Sequence, residues 1–191
     1  MTENTKYCLC CNEQVPFSVI EKSEKREARC IYCGFTLDIQ KLSELIKVSE
    51  NGHALVADDS KYTRKIIMDI LTEKNHWSRV ESFGNGVELV SAYSNLLLKK
   101  KPVDVVIIDL NMPVMDGLTA ARTIRSLEVQ KRTEKVSMIF FSSEKADEHL
   151  KRQLENLAPA HYMNKAADPD PDKLAMRVEQ LVQYILEERS R

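Results

Sequence analysis

The chain has 191 residues, 43% apolar and 30% charged, the balance of a globular protein with room for one ordinary core and a small appendage. Its formal net charge of −1 supplies no global field that would draw it onto nucleic acid or an anionic membrane. No run approaches the ~18 apolar residues of a membrane span, and the opening Met1-Thr2-Glu3-Asn4-Thr5-Lys6 lacks the layout of a secretory signal. The cytosol is the expected compartment.

All five cysteines fall within the first 33 residues. A disulfide framework would staple more of the chain, and a cytosol would reduce it. Cys8-x2-Cys11 is followed, 18 residues on, by Cys30-x2-Cys33. Two C-x-x-C pairs at this separation match a Zn(Cys)4 site, because each knuckle aims two thiolates at one tetrahedral centre. Gly34 follows the second pair and Asn12 the first, the two residue types that best tolerate a left-handed turn. Val15, Phe17 and Val19 alternate with polar residues as in a strand of a hairpin. Residues 1–37 thus look like a zinc ribbon. Two other readings are four free cysteines packed as small hydrophobes and an iron-thiolate site. Cys10 breaks the two-residue gap and carries no assigned role. Residues 1–50 hold seven Lys/Arg and eight Asp/Glu, without the basic face of a nucleic-acid binder. A protein-docking or structural ribbon is favoured.

Ile39, Leu42, Leu45 and Ile46 recur at helical spacing, so residues 38–50 are expected to form a helical linker. Residues 51–191 then alternate short β-rich runs with helical patterns. The runs are His53–Ala57, Ser78–Phe83, Val103–Ile108, Val136–Phe141 and His161–Met163; the helices are 60–74, 86–100, 117–130, 145–157 and 172–189. Pro171 opens the last helix, where a missing N–H costs nothing, and Leu174, Val178, Leu181 and Ile185 form its apolar stripe. Five strands alternating with five helices predict an α/β fold, a five-stranded doubly wound parallel sheet.

Such sheets place their site at the carboxyl ends of the strands. The first strand ends in Asp58-Asp59, the third in Asp109 and the fourth in Ser142-Ser143, and Lys165 follows the fifth. Crowded carboxylates repel, so they shift pKa or recruit a cation. Mg²⁺, a hard ion that keeps several waters, suits carboxylates plus a phosphate. The chemistry that fits is phosphoryl transfer onto a carboxylate, with the metal and a lysine neutralising charge. Taken singly, Asp58 or Asp59 could cap the first helix, Asp116-Gly117 reads as a turn and cap, and Lys165 as a solvated lysine. His53, His76, His149 and His161 share no spacing with the cysteines and read as structural or exposed.

The motifs Leu55-Val56-Ala57-Asp58-Asp59-Ser60, Val106-Ile107-Ile108-Asp109-Leu110-Asn111-Met112-Pro113-Val114-Met115-Asp116-Gly117, Phe141-Ser142-Ser143 and Tyr162-Met163-Asn164-Lys165 resemble those of response-regulator receivers, the CheY-like domains of two-component signalling. The resemblance implies a flavodoxin-like receiver over residues 51–191. It implies that Asp109 accepts a phosphoryl group from a sensor histidine kinase or phosphotransfer protein. Asp59 would ligate Mg²⁺ directly, Asp58 through water and Asn111 through its backbone carbonyl, with Asp109 also in the metal set. Ser142 and Lys165 would hold phosphoryl oxygens, and Tyr162 would be the switch aromatic, moving inward with Ser142. Asn111 and Glu144 stand where this family tunes attack of water on the acyl phosphate, and imply a short-lived phosphoryl group.

One departure from the pattern is Ala166, where the family usually has a cis proline. The last helix ends near Arg189, leaving no room for a helix-turn-helix. The expected function is a phospho-switched adaptor without enzymatic output, with chemotaxis or motility as the expected setting. The alternative is a nucleic-acid-binding regulator using the ribbon. A haloacid-dehalogenase-type phosphatase would need a D-x-D motif after the first strand, which Asp58-Asp59-Ser60 does not supply.

Overall fold

The first two dozen residues with defined positions build a three-stranded antiparallel meander of β1 (Thr5–Cys8), β2 (Glu13–Lys22) and β3 (Lys25–Cys30). The computed structural model describes residues 5–22, 25–37, 53–73, 77, 79–143, 145–165 and 171–189. The expected linker helix over 38–50, His76, Glu144 and Ala166 lie outside the described residues. The knuckles sit at one end of the meander, between β1 and β2 and just after β3. Asn12 and Gly34 take the left-handed conformation there, with φ of 60° and 76°. The expected alternation holds only near the knuckles. Val15 is fully buried, but β2 outruns them, and Val19 is 58% exposed.

The second sheet is parallel throughout, in the order β5-β4-β6-β7-β8. Its strands are β4 (His53–Ala57), β5 (Arg79–Phe83), β6 (Val103–Asp109), β7 (Ser137–Ser142) and β8 (Ala160–Asn164). They alternate with α1 (Lys61–Glu73), α2 (Gly86–Leu98), α3 (Gly117–Lys131), α4 (Glu148–Asn156) and α5 (Pro171–Arg189). Residues 53–57 and 104–109 are buried at every position, as central strands covered on both faces must be. Helices α1 and α5 cover one face through Ile67, Leu71, Val178 and Leu181; α2, α3 and α4 cover the other through Leu89, Ile124 and Leu154. Asn85, Asp116 and Asp147 cap α2, α3 and α4 by accepting N–H bonds from Glu88, Thr119 and Leu150. Ahead of α1 the cap is Ser60, whose Oγ accepts from Thr63 N, so Asp58 and Asp59 are freed from that duty. No helix among the described residues is long and apolar enough to cross a membrane.

A buried ion pair braces the sheet edge away from the acidic residues. Arg125 donates to Glu128 at 2.7 Å and to the carbonyls of Val136, Leu157 and Pro159. Glu128 also accepts from Tyr93 and Val136 N–H. With its partners satisfied, the pair ties α3 to β7 and to the turn before β8.

The ribbon is docked along β8, the outer strand. Leu9, Cys10, Val15 and Phe35 share a core with Met163, Val178 and Val182. The backbone N–H of Asn164 points out of the sheet and donates to Cys10 O at 2.8 Å. Phe35 meets Tyr184 edge-on at 5.2 Å. One donor at the end of this edge strand is thereby paired with the first knuckle.

Candidate functional site

Apolar runs deliver β4 and β6 to the middle of the sheet, and the first polar residues after them meet where the strand order reverses. Asp58 and Asp109 are 1% and 5% exposed, while Asp59 faces solvent. Carboxylate oxygens of all three lie within 4.8 Å of one another. Lys165, just past β8, spans the gap: Nζ is 2.8 Å from Asp58 Oδ2 and 2.7 Å from Asp109 Oδ2. The same ammonium lies 5.6 Å from the Phe141 ring centroid. Ser142 is fully buried at the end of β7, and its carbonyl accepts from Lys165 N–H at 2.6 Å.

Backbone groups fix the carboxylates. Ser60 N–H donates to Asp58 Oδ1 at 2.9 Å, and Asn111 N–H reaches Asp109 Oδ1 at 3.3 Å. Arg64 donates to the Asp58 carbonyl. Burial raises the Asp58 pKa above the ordinary carboxylate value, and Asp109 adds to this while Lys165 opposes it. Burial works against the Lys165 ammonium, but Asp109 and Asp58 outweigh it and hold its pKa above the usual lysine value.

The loop after Asp109 presses on the site. A Cβ on Gly117 would stand 2.1 Å from the Asp109 carbonyl oxygen, so only glycine permits this approach. Val114, 86% exposed, holds a φ of 68°, a costly conformation for a β-branched residue. Asp116 caps α3, as its position before Gly117 predicts, and takes no part in the acidic cluster.

The donor set suits a hard cation. Asp58 Oδ2 is buried and has no aligned hydrogen-bond partner among the described residues, although the Lys165 ammonium is near. Such an oxygen beside two further carboxylates fits Mg²⁺, which binds through one or two carboxylates and retained water.

The four paired cysteines also converge. Their sulfurs lie within 4.8 Å of one another, with Cys8–Cys33 at 3.6 Å and Cys11–Cys30 at 3.7 Å. These are far longer than a disulfide of about 2.05 Å. They match the edge of a tetrahedron with Zn–S bonds of about 2.3 Å, which is about 3.8 Å. Backbone N–H groups of Cys11 and Cys33 point at the Sγ atoms of Cys8 and Cys30, each at 3.4 Å, the local geometry that a knuckle turn imposes. Cys10 lies outside the quartet. It is fully buried, and burial raises its thiol pKa.

Two features escaped the sequence reading. Arg177 of α5 is 2% exposed and donates Nε to Leu9 O at 2.8 Å, and Nη2 to Cys10 O at 3.1 Å and Asn164 O at 2.8 Å. It forms no ion pair with a carboxylate among the described residues; burial lowers its pKa, and Tyr7, Cys10 and Cys8 favour its charge. The available signal was its place in the Leu174, Val178, Leu181 stripe, where a charge must have a buried partner. The second feature is a cavity of about 360 Å³ between ribbon and receiver, lined by Cys11, Glu13, Tyr32, Lys145, Tyr162 and Asn164. Lys145 bonds both carboxylate oxygens of Glu13, at 2.9 and 3.0 Å, across it. Tyr162 is already buried there, its hydroxyl accepting from Asn164 Nδ2 at 3.0 Å, and burial pushes its pKa up to about 12. Of the remaining histidines, His53 is buried with Nδ1 3.1 Å from Pro102 O, His149 contacts Gln153, and His161 packs on Tyr184.

A sheet in this strand order, with three acids and a lysine at its switch point, defines the receiver class of phosphoryl-accepting domains. The response regulator receiver domain family matches residues 54–179, well over half of the chain, and the chain belongs to that family. Chemotaxis protein CheY of Bacillus subtilis is 37% identical over 78 residues, which are 41% of this chain and 60% of the relative. A protein-glutamate methylesterase/protein-glutamine glutaminase of Caldanaerobacter subterraneus is 41% identical over 73 residues, 38% of this chain and 18% of that enzyme. The chain thus spans less than two thirds of either curated relative. Among solved structures, the CheX-CheY-BeF3-Mg complex from Borrelia burgdorferi matches at 25% identity and TM-score 0.54, over 68% of this chain and 87% of that one. The receiver domain of the histidine kinase CKI1 from Arabidopsis thaliana, complexed with Mg²⁺ and BeF3⁻, is alike in fold, at 24% identity and TM-score 0.57, over 71% and 91%. A receiver of this type is a phosphoryl acceptor in two-component signalling, and receivers use Mg²⁺ at an aspartate cluster such as Asp58, Asp59 and Asp109. The family match does not reach the ribbon.

Proposed function

We propose that Asp109 is the phosphoacceptor of a two-component switch and that this chain signals by changing protein contacts rather than through a catalytic output. The observation that carries this reading is a buried Asp109 carboxylate held against Lys165 and beside two further acids. An Asp109 oxygen attacks phosphorus of a phosphohistidine on a sensor kinase or phosphotransfer protein. The P–O bond forms, the P–N bond breaks, and the imidazole leaves and takes up a proton. Asp58 and Asp59, with the Asn111 carbonyl, are the groups that would hold Mg²⁺, which supplies charge neutralisation to the transferred group. Lys165 leaves Asp58 to pair with a phosphoryl oxygen, and Ser142 donates to another. Tyr162 is the switch aromatic. Asn111 and Glu144 give a short phosphoryl lifetime.

Cys8, Cys11, Cys30 and Cys33 hold Zn²⁺, supported by sulfur separations near those of a tetrahedral thiolate site. The ribbon is a docking module, and its balanced charge argues against nucleic acid as the partner. Acetyl phosphate with Mg²⁺ tests the central claim by intact mass. One phosphoryl group should add to the wild type and none to Asp109→Asn; equal labelling of both would remove Asp109 from its role.

A further inference from the structure

The ribbon is bonded to the residue adjacent to the lysine of the acidic site. Asn164 directly precedes Lys165, and both of its main-chain groups serve the interface. Its N–H donates to Cys10 O at 2.8 Å, and its C=O accepts from Arg177 Nη2 at 2.8 Å. Arg177 in turn grips Leu9 O and Cys10 O, the two residues between Cys8 and Cys11. One buried guanidinium therefore fastens the first metal knuckle and the end of β8 to each other. On the far side of the peptide, Lys165 N–H holds Ser142 O, and Lys165 Nζ bridges Asp58 and Asp109. The loop after Ser142 is fastened as well, by Lys145 to Glu13 of the ribbon. Lys151 of α4 adds a bond to Ile31 O, inside the second knuckle.

A buried arginine with no carboxylate partner among the described residues needs a counter-charge. Four thiolates around a divalent ion carry a net charge of about −2, and the knuckle that supplies two of them lies against Arg177. Metal loading would therefore favour docking. Phosphorylation acts on the same peptide from the other end. A phosphoryl group on Asp109 would draw Lys165 Nζ away from Asp58, and any shift of the end of β8 that accompanies it would strain the bonds of Asn164 to Cys10 and Arg177.

We propose that the metal-loaded ribbon is the receiver's intramolecular partner, bound over β8, and that occupation of Asp109 by a phosphoryl group weakens it, with Arg177 as the positioning residue that couples the two sites. This rests on the receiver and zinc readings above. Coupling of this kind is reciprocal: each ligand changes the other's affinity by the same factor. Displacing the ribbon would bare Tyr162 and the β8 edge, so the released face and the ribbon's own docking side become available together.

The test uses the full chain and two probes, Zn²⁺ and beryllofluoride with Mg²⁺. Zinc affinity is measured by competition with a chromophoric chelator, with and without saturating beryllofluoride. Beryllofluoride occupancy is followed independently by fluorine NMR, on zinc-loaded and zinc-free protein. Zinc affinity should fall at least fivefold when beryllofluoride is bound, and beryllofluoride affinity should fall by the same factor when zinc is bound. Arg177→Met should bring both factors to about one while each ligand still binds; Arg177→Lys should restore part of the coupling. An unchanged or increased zinc affinity, with bound beryllofluoride seen by NMR, overturns the coupling and leaves the receiver reading standing. Beryllofluoride that never binds overturns both. The wild-type measurement decides the matter even if Arg177→Met does not fold.

Discussion

Replacing Lys165 by Met tests how the acidic cluster is balanced. The ammonium stands 2.7–2.8 Å from two buried carboxylates. At an effective dielectric constant of about 20, each contact is worth roughly 6 kcal/mol of gross attraction, most of it spent on desolvation. Removing the cation while keeping its stem leaves two acids unpaired, which typically costs about 3–5 kcal/mol. The pH dependence has a definite sign. Burial holds the Asp58 pKa above its unfolded value, so its ionisation weakens the fold; that contribution to stability is full in acid and disappears as pH rises through the folded pKa. Lys165 opposes this shift, so its loss moves the Asp58 pKa further up. Lys165 itself has a raised pKa, and its own contribution is full below the unfolded lysine value and is lost only in alkali above it. Between pH 7 and 5 the penalty of the variant should therefore shrink. Mg²⁺ should restore stability in the variant more than in the wild type, since no ammonium competes for Asp58. Urea unfolding followed by circular dichroism at both pH values, with and without Mg²⁺, reads all three effects. A penalty below about 1 kcal/mol at pH 7, or one that is the same at both pH values, would refute the balance described.

Gly117→Ala, whose Cβ would meet the Asp109 carbonyl, should cost about 3 kcal/mol and abolish beryllofluoride binding, as urea unfolding and fluorine NMR would register; near-wild-type values in both would show that the loop yields freely. Val114→Gly relieves a left-handed valine and should gain about 0.5–1 kcal/mol in the same unfolding assay, whereas a loss would mean that the exposed side chain makes contacts. Cys30→Ser should reduce bound zinc from one equivalent to none by elemental analysis, while Cys10→Ser keeps one equivalent; a variant of Cys30 that retains full zinc would exclude it as a ligand. Arg125→Met strands Glu128 in the core and should cost about 3–5 kcal/mol in urea unfolding, with a much smaller loss when Glu128→Gln is added.

The receiver was legible because its site residues are the first polar groups after long apolar runs. Asp58 and Asp109 follow strands with no solvent-facing position, and that pattern fixes both their burial and their side of the sheet. The thiol quartet was legible from spacing alone, since two short knuckles have few ways to place four sulfurs. Local competition among caps was harder: Asp58, Asp59 and Ser60 are all good caps, and only tertiary contact from Lys165 decides that Ser60 does the capping. Arg125 and Glu128 look like solvated helix residues until the turn before β8 closes over them. Ribbon docking is a contact between residues about 150 positions apart in sequence, such as Cys10 and Asn164. No periodicity encodes that distance. The odd arginine in the α5 stripe was the one local trace of it.

The way the ribbon covers β8 bears on how this protein can be handled. Separating the receiver from the ribbon would strip the cover from Met163 and Val178, leave the guanidinium of Arg177 with Asn164 O but without Leu9 O and Cys10 O, and present a raw strand to neighbouring molecules. Self-association of such a fragment would then report the cut rather than any physiological assembly, so dimerisation and partner screens need both halves together.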